Sequence, residues 1–209
     1  MFIPLVDLLR CVRPHEETWL VASIERTEAR DIVDGTLGCP ICLAEYRVED
    51  GVVYFDAEVD EPPPAVASDD EAMRLAAALE LTDARMVAVL HGEWGAHARL
   101  VGELSPAQLL LINPPGGAMS GDGVSILVAA TAPLAHGSVH AVAIDSIADE
   151  AMTRSLCMAL RGEGRMFGRL ATPIPTGLVE LARDGEVWVA RRPPETVESA
   201  PVQLGRKRD

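Results

Sequence analysis

The sequence predicts an α/β protein: a small cysteine-bearing β unit, then an open, mostly parallel sheet closed by an antiparallel hairpin. Three observations carry that prediction. Cys39-Pro40-Ile41-Cys42 stands directly before an alternating β-rich run broken by Asp50-Gly51, a pair suited to the positive φ angles of a hairpin turn. Short, wholly apolar runs such as Met86 to Leu90 then alternate with stretches of helical periodicity, the mark of strands buried on both faces of a parallel sheet. Near the end, Gly177 to Arg183 and Glu186 to Arg191 flank Asp184-Gly185, a second hairpin signal.

Taken in order, the amino-terminal unit offers Cys11 and His15 before Cys39 and Cys42, giving C-x3-H…C-x2-C. Two thiols in a tight turn present both sulfurs to one ion, and Cys3His is a plausible tetrahedral set for structural zinc. A thiolate knuckle feeding a short hairpin is how a zinc ribbon is built. The plainer alternative makes Cys11 a buried apolar residue, His15 a surface histidine, and Cys39/Cys42 a reduced pair or a disulfide. Between the two pairs, Thr18 to Ile24 and Ala29 to Leu37 read as strands.

Asp60-Glu61-Pro62-Pro63-Pro64 sets three prolines without backbone donors beside two acids and reads as a stiff acidic linker. Ser68 caps a helix with Asp69, Asp70 and Glu71 in its first turn and one apolar stripe of Ala72, Leu75, Ala76 and Leu79. Beyond it come a strand over Met86 to Leu90, a turn over His91 to Gly95, and a helix over Ala96 to Leu104. Gln108 to Ile112 is a strand, and Asn113 to Gly123 is a Pro/Gly-rich loop in the place of a crossover helix. Val124 to Ala129 and Val139 to Ile144 are strands, Ile147 to Leu160 a helix, and Arg165 to Leu170 a strand before the closing hairpin. From Pro193 onward apolar periodicity is missing and disorder is expected. The predicted division is 1–56, a linker over 57–68, a second domain over 69–192 and a tail over 193–209.

The 209 residues carry a formal net charge of −14, which repels a polyanion, so direct nucleic-acid binding is not expected. Lys207 is the only lysine, which removes a Schiff base or lysine nucleophile from the folded body. No apolar run approaches the roughly 20 residues that span a bilayer, and the start lacks a basic, signal-like region. The expectation is a cytoplasmic protein with no membrane segment.

Over Leu5 to Phe55 the residues resemble the Trm112-like zinc-ribbon family. Leu8-Leu9-Arg10-Cys11 matches the family's opening, and Cys39-Pro40-Ile41-Cys42, Tyr46, Val48 and Asp50-Gly51-Val52 match its close. Pro14 sits where the family has its second cysteine, so a retained metal needs His15 in its place. The resemblance implies zinc held by Cys11, His15, Cys39 and Cys42, and a ribbon that docks on a protein partner, as the family does with methyltransferases.

From Asp69 to Arg191 the order of elements is similar to a class I S-adenosylmethionine-dependent methyltransferase. Val87 to Ala96 lies at the family's glycine-rich first motif, Pro133 to Val142 at its third region, and Leu160 to Met166 at a later glycine turn. The resemblance places the cofactor near Gly92, Gly95 and Asn113. The chemistry departs there. With Gly92 as the first glycine, Trp94 and Ala96 fill the next two slots, each adding a Cβ. Leu90 replaces the acid before that glycine, Asn113 replaces the ribose-binding carboxylate, and His140 stands at the third region's aspartate.

Two readings follow. The leading one is a pseudoenzyme, a non-catalytic accessory or interaction protein that has lost S-adenosylmethionine, with no catalytic residues and Trp94 filling cofactor space. The other is an active methyltransferase with a divergent pocket, acting on a small molecule or a protein. His91, Glu93 and His97 read as turn residues rather than a base, Asp145 as a helix cap before Ile147, Gly116-Gly117 as part of a loop, and Cys157 as core.

Overall fold

The computed structural model describes residues 1–55 and 65–194. Its centre is one eleven-stranded sheet in which residues from both expected domains are hydrogen-bonded together. The first unit supplies β1 (Val21–Glu28), β2 (Asp31–Gly38), β3 (Glu45–Glu49) and β4 (Val52–Tyr54), joined as antiparallel neighbours. The turn between β3 and β4 uses Asp50 and Gly51, both with positive φ, as the sequence predicts. The first two strands begin later than expected. A tight turn at Ala29, whose φ is +51°, sets their register, and Arg10 to Trp19 folds into a loop closed by an Arg10–Trp19 bridge.

Helix α1 (Asp69–Leu79) follows, with the Ser68 side chain accepting from the Glu71 amide as its cap. The second region supplies β5 (Val87–His91), α2 (Ala98–Leu104), β6 (Gln108–Ile112), β7 (Val124–Val128), β8 (Val139–Ile144), α3 (Glu150–Ala159) and β9 (Leu160–Arg169). The hairpin of β10 (Val179–Arg183) and β11 (Val187–Arg191) closes the sheet, β11 pairing antiparallel with β9. The strand order is β1-β2-β3-β4-β7-β6-β5-β8-β9-β11-β10. β4 through β9 pair in parallel, which makes this a mixed α/β fold with a parallel centre.

Some boundaries differ from the sequence reading for local reasons. Gly92–His97 forms a 3₁₀ turn, so α2 starts at Ala98. Asp149, not Asp145, caps α3, accepting from the Met152 amide at 2.7 Å. β9 begins directly after that helix, at Leu160. The proline run at 62–64 and the tail from 195 onward lie outside the described residues; among those that are described, no helix is long and apolar enough to cross a membrane.

Alternation along the parallel strands divides the core in two. Val89, Leu110, Leu127, Val142 and Met166 point to one face, and Ala88, Leu90, Leu109, Leu111 and Phe167 to the other. α1 and α2 cover the second face. On the first, α3 covers the β8–β9 side, while Met1, Leu5 and Leu9 join the same cluster as Leu110 and Leu127. The connection from β7 to β8 carries no helix, and the amino-terminal segment packs on the face it leaves.

Candidate metal centre and strand-end crevice

Cys11, His15, Cys39 and Cys42 converge, their ligand atoms all lying within 4.8 Å of one another. Two separate segments supply them. The Arg10–Trp19 loop carries Cys11 and His15, and the knuckle before β3 carries Cys39 and Cys42. The knuckle is closed by the Leu43 amide on the Cys39 carbonyl at 3.0 Å, with Leu43 at φ +58°. Cys11 Sγ stands 3.6 Å from Cys42 Sγ, and Cys39 Sγ 3.4 Å from His15 Nε2. Those spacings approach the edges of a tetrahedron built on a Zn–S bond of about 2.3 Å. All four cysteines of the chain are free.

The donor set fits a soft, tetrahedral ion such as zinc. His15 Nδ1 lies 2.6 Å from the Glu16 carbonyl, which can only accept, so Nδ1 keeps the proton and Nε2 turns a lone pair to the sulfurs. Burial opposes ionisation of Cys39, but the Cys42 and Ile41 backbone amides and the Cys42 and Cys11 side chains outweigh it and bring its thiol down to about 6. A site predisposed to thiolate needs less proton release to take a metal. One residue given no role in the sequence reading belongs here. Tyr46 Oη sits 3.1 Å from Cys11 Sγ. Its signal was its place a few residues beyond Cys42 in an alternating strand that turns it toward the ligands.

The second candidate site lies where the chain reverses direction across the sheet, between the carboxyl ends of β5 and β8, the usual ligand crevice of an open α/β sheet. Here the chain's own side chains fill it. Trp94 is 1% exposed, and its Nε1 donates to the Ile144 carbonyl at 3.0 Å. Phe167 meets its ring edge-on at 5.0 Å, and the Arg169 guanidinium lies 4.6 Å above it. Arg169 is held in turn by Glu93 and by Glu71. Asp145, buried, accepts from the Glu93 amide at 2.7 Å.

Each cofactor-related residue of the sequence reading has a packing role. Gly92 adopts φ +62°, and a Cβ there would come within 2.2 Å of Asp145 Oδ2. A Cβ on Gly95 would meet Pro114 at 2.7 Å. Asn113 donates through Nδ2 to the Ala129 carbonyl at 2.8 Å and accepts through Oδ1 from the Ala129 amide at 2.9 Å. A carboxylate could make only the second of these bonds.

His91, His97 and His140 are not brought together as a catalytic group. His140 Nδ1 accepts from the Val87 amide at 3.2 Å, and His97 Nδ1 from the Ser68 amide at 3.4 Å. His91 is a correction to the turn reading: it ends β5, and among the described residues its buried Nδ1 has no hydrogen-bond partner. Burial lowers all three below the ordinary histidine range and keeps them neutral. Between α2 and the Asn113–Gly123 loop, where a crossover helix is missing, lies a cavity of about 490 Å³ lined by Gly95, Ala98, Leu111, Pro115, Gly117 and Val124.

No protein-family model matches this chain, and no curated protein matches it. Solved structures match in fold. Geranyl diphosphate C-methyltransferase from Streptomyces coelicolor A3(2), in complex with Mg2+, geranyl diphosphate and S-adenosyl-L-homocysteine, is 14% identical over 47% of this chain and 44% of its own, with a TM-score of 0.40. A SAM dependent methyltransferase from Aquifex aeolicus is 11% identical over 59% of this chain and 96% of its own, at 0.35. The glycopeptide N-methyltransferase MtfA complexed with sinefungin is 14% identical over 69% of this chain and 65% of its own, at 0.36. The chain spans less than half the length of the first of these, and the likeness is one of fold alone.

Proposed function

We propose that this chain is a zinc-stabilised, methyltransferase-like protein that does not transfer methyl groups and acts through protein contacts. In this reading residues 1–56 are a Trm112-like ribbon with His15 as the fourth ligand, and 69–192 are a degenerate methyltransferase-like body. The observation that supports loss of catalysis is the filled crevice. Trp94 and Asp145 take the space between β5 and β8, and the Asn113 amide is committed to Ala129.

The parallel pairing of β4 with β7 supports a reading in which the docking implied by the ribbon's resemblance takes place within the chain. An external protein partner then meets another surface, and Trp19 and Val21, exposed at the edge strand β1, with Leu43, exposed on the Cys39–Cys42 knuckle, offer apolar area for it. A cytoplasmic location belongs to the same reading.

The test is calorimetric titration of the zinc-loaded protein with S-adenosylmethionine and S-adenosyl-L-homocysteine, with metal analysis of the same sample. One zinc per chain and no heat at micromolar ligand are expected. Micromolar binding favours the second reading, an active methyltransferase with a divergent pocket. The observation on that side is the glycine-edged cavity of about 490 Å³ at the start of α2.

A further inference from the structure

We propose that Tyr46 is an outer hydrogen-bond donor to the metal centre, its phenol holding the Cys11 sulfur in place and drawing off part of that sulfur's charge. The inference rests on the metal-centre reading above. Tyr46 Oη lies 3.1 Å from Cys11 Sγ, and the Val12 amide points at the same oxygen from 3.4 Å. An amide can only donate, so the phenol oxygen accepts from Val12 and its own proton is left for the sulfur. A sulfur that binds metal does so as thiolate and has no proton to return, which sets the direction of the bond.

The ring has little freedom to turn away. Tyr46 is 3% exposed, pairs with Leu37 across β2 and β3, and packs against Phe55 with ring centroids 4.6 Å apart. It therefore ties the ligand loop of Cys11 to the strand that follows the Cys39–Cys42 knuckle. Three thiolates and a neutral imidazole leave the centre with a net negative charge around a divalent ion. A rigid donor aimed at one thiolate offsets some of it, as outer partners of metal ligands do.

Tyr46→Phe in the full chain removes the hydroxyl and keeps the ring. Zinc affinity, read by competition with a chromogenic chelator, falls about 10- to 100-fold. In the Co2+-substituted protein the sulfur-to-metal charge-transfer band moves to longer wavelength, because an undonated thiolate is easier to oxidise. A merely structural ring would not move that band. Wild-type protein that binds one zinc, beside a variant with unchanged affinity and an unchanged spectrum, overturns the inference and leaves the metal centre standing. Wild-type protein that takes up neither zinc nor Co2+ overturns both. Should the variant not fold, 3-fluorotyrosine replaces the chain's two tyrosines, Tyr46 and Tyr54. Its more acidic phenol moves the band to shorter wavelength, and an unmoved band overturns the proposal.

Discussion

Asn113 shows how a single side chain carries two meanings. In the sequence reading it stands at the place where the methyltransferase resemblance expects a ribose-binding carboxylate. In the fold it links the end of β6 to the chain after β7 by giving one bond and taking another, which a carboxylate cannot do. Gly92 and Gly95 are similar, since neighbouring atoms leave no room for a Cβ at either position whether or not a ligand binds. Trp94 is the residue on which the crevice depends. Trp94→Ala removes a fully buried ring, leaves the Ile144 carbonyl without its donor, and costs about 3–5 kcal/mol. Urea unfolding of the zinc-loaded protein checks this through a lower midpoint at unchanged slope. The sequence pointed to Trp94 because it breaks a glycine pattern. Its partners Ile144, Phe167 and Arg169 come from distant segments and carry no local mark.

At the scale of elements, caps and turns were legible because they are local. Ser68 before three acids, and Asp50-Gly51 between alternating runs, behave as their chemistry requires. Starts of elements were less so, because β1 and α3 begin where a turn or cap outside the periodic run places them. The short strand β4 has a larger consequence. It joins β3 to β7, and beside that seam the Ser125 hydroxyl of β7 accepts from the Phe2 amide at 2.9 Å. Ser125 is fully buried. Ser125→Ala leaves that amide unpaired and lowers stability by about 1–3 kcal/mol. Ser120→Ala, at a half-buried position nearby whose hydroxyl donates to the Asp50 carbonyl at 3.2 Å, costs less, about 0.5–1.5 kcal/mol, when both variants are unfolded in urea.

At the scale of the molecule, the described strands form one sheet with one shared core on the face that receives the amino terminus. Leu9 bridges to Leu134, the Arg10 amide donates to the Pro133 carbonyl at 2.9 Å, and the Ala135 amide donates to the Leu8 carbonyl at 2.8 Å. The segment leading into Cys11 is therefore stitched to the loop before β8. A protease site introduced between Phe55 and Ala65 and then cut leaves the two pieces together on size-exclusion chromatography, in high salt as in low. Apolar burial and backbone pairing hold them, and neither is screened as surface charge is. Separation of the pieces would show that the linker, and not the seam, joins them.

The sequence by itself determined the classes of element, the two pairs of candidate metal-binding residues and the turn chemistry, because apolar period, caps and the spacing within each pair are properties of a few adjacent residues. Tertiary structure alone decided that β4 lies on β7, that Trp94 closes the strand-end crevice, and that Tyr46 reaches Cys11. Periodicity says which face of a strand is apolar, but not which other face it meets. That choice is made by packing between segments far apart in the chain.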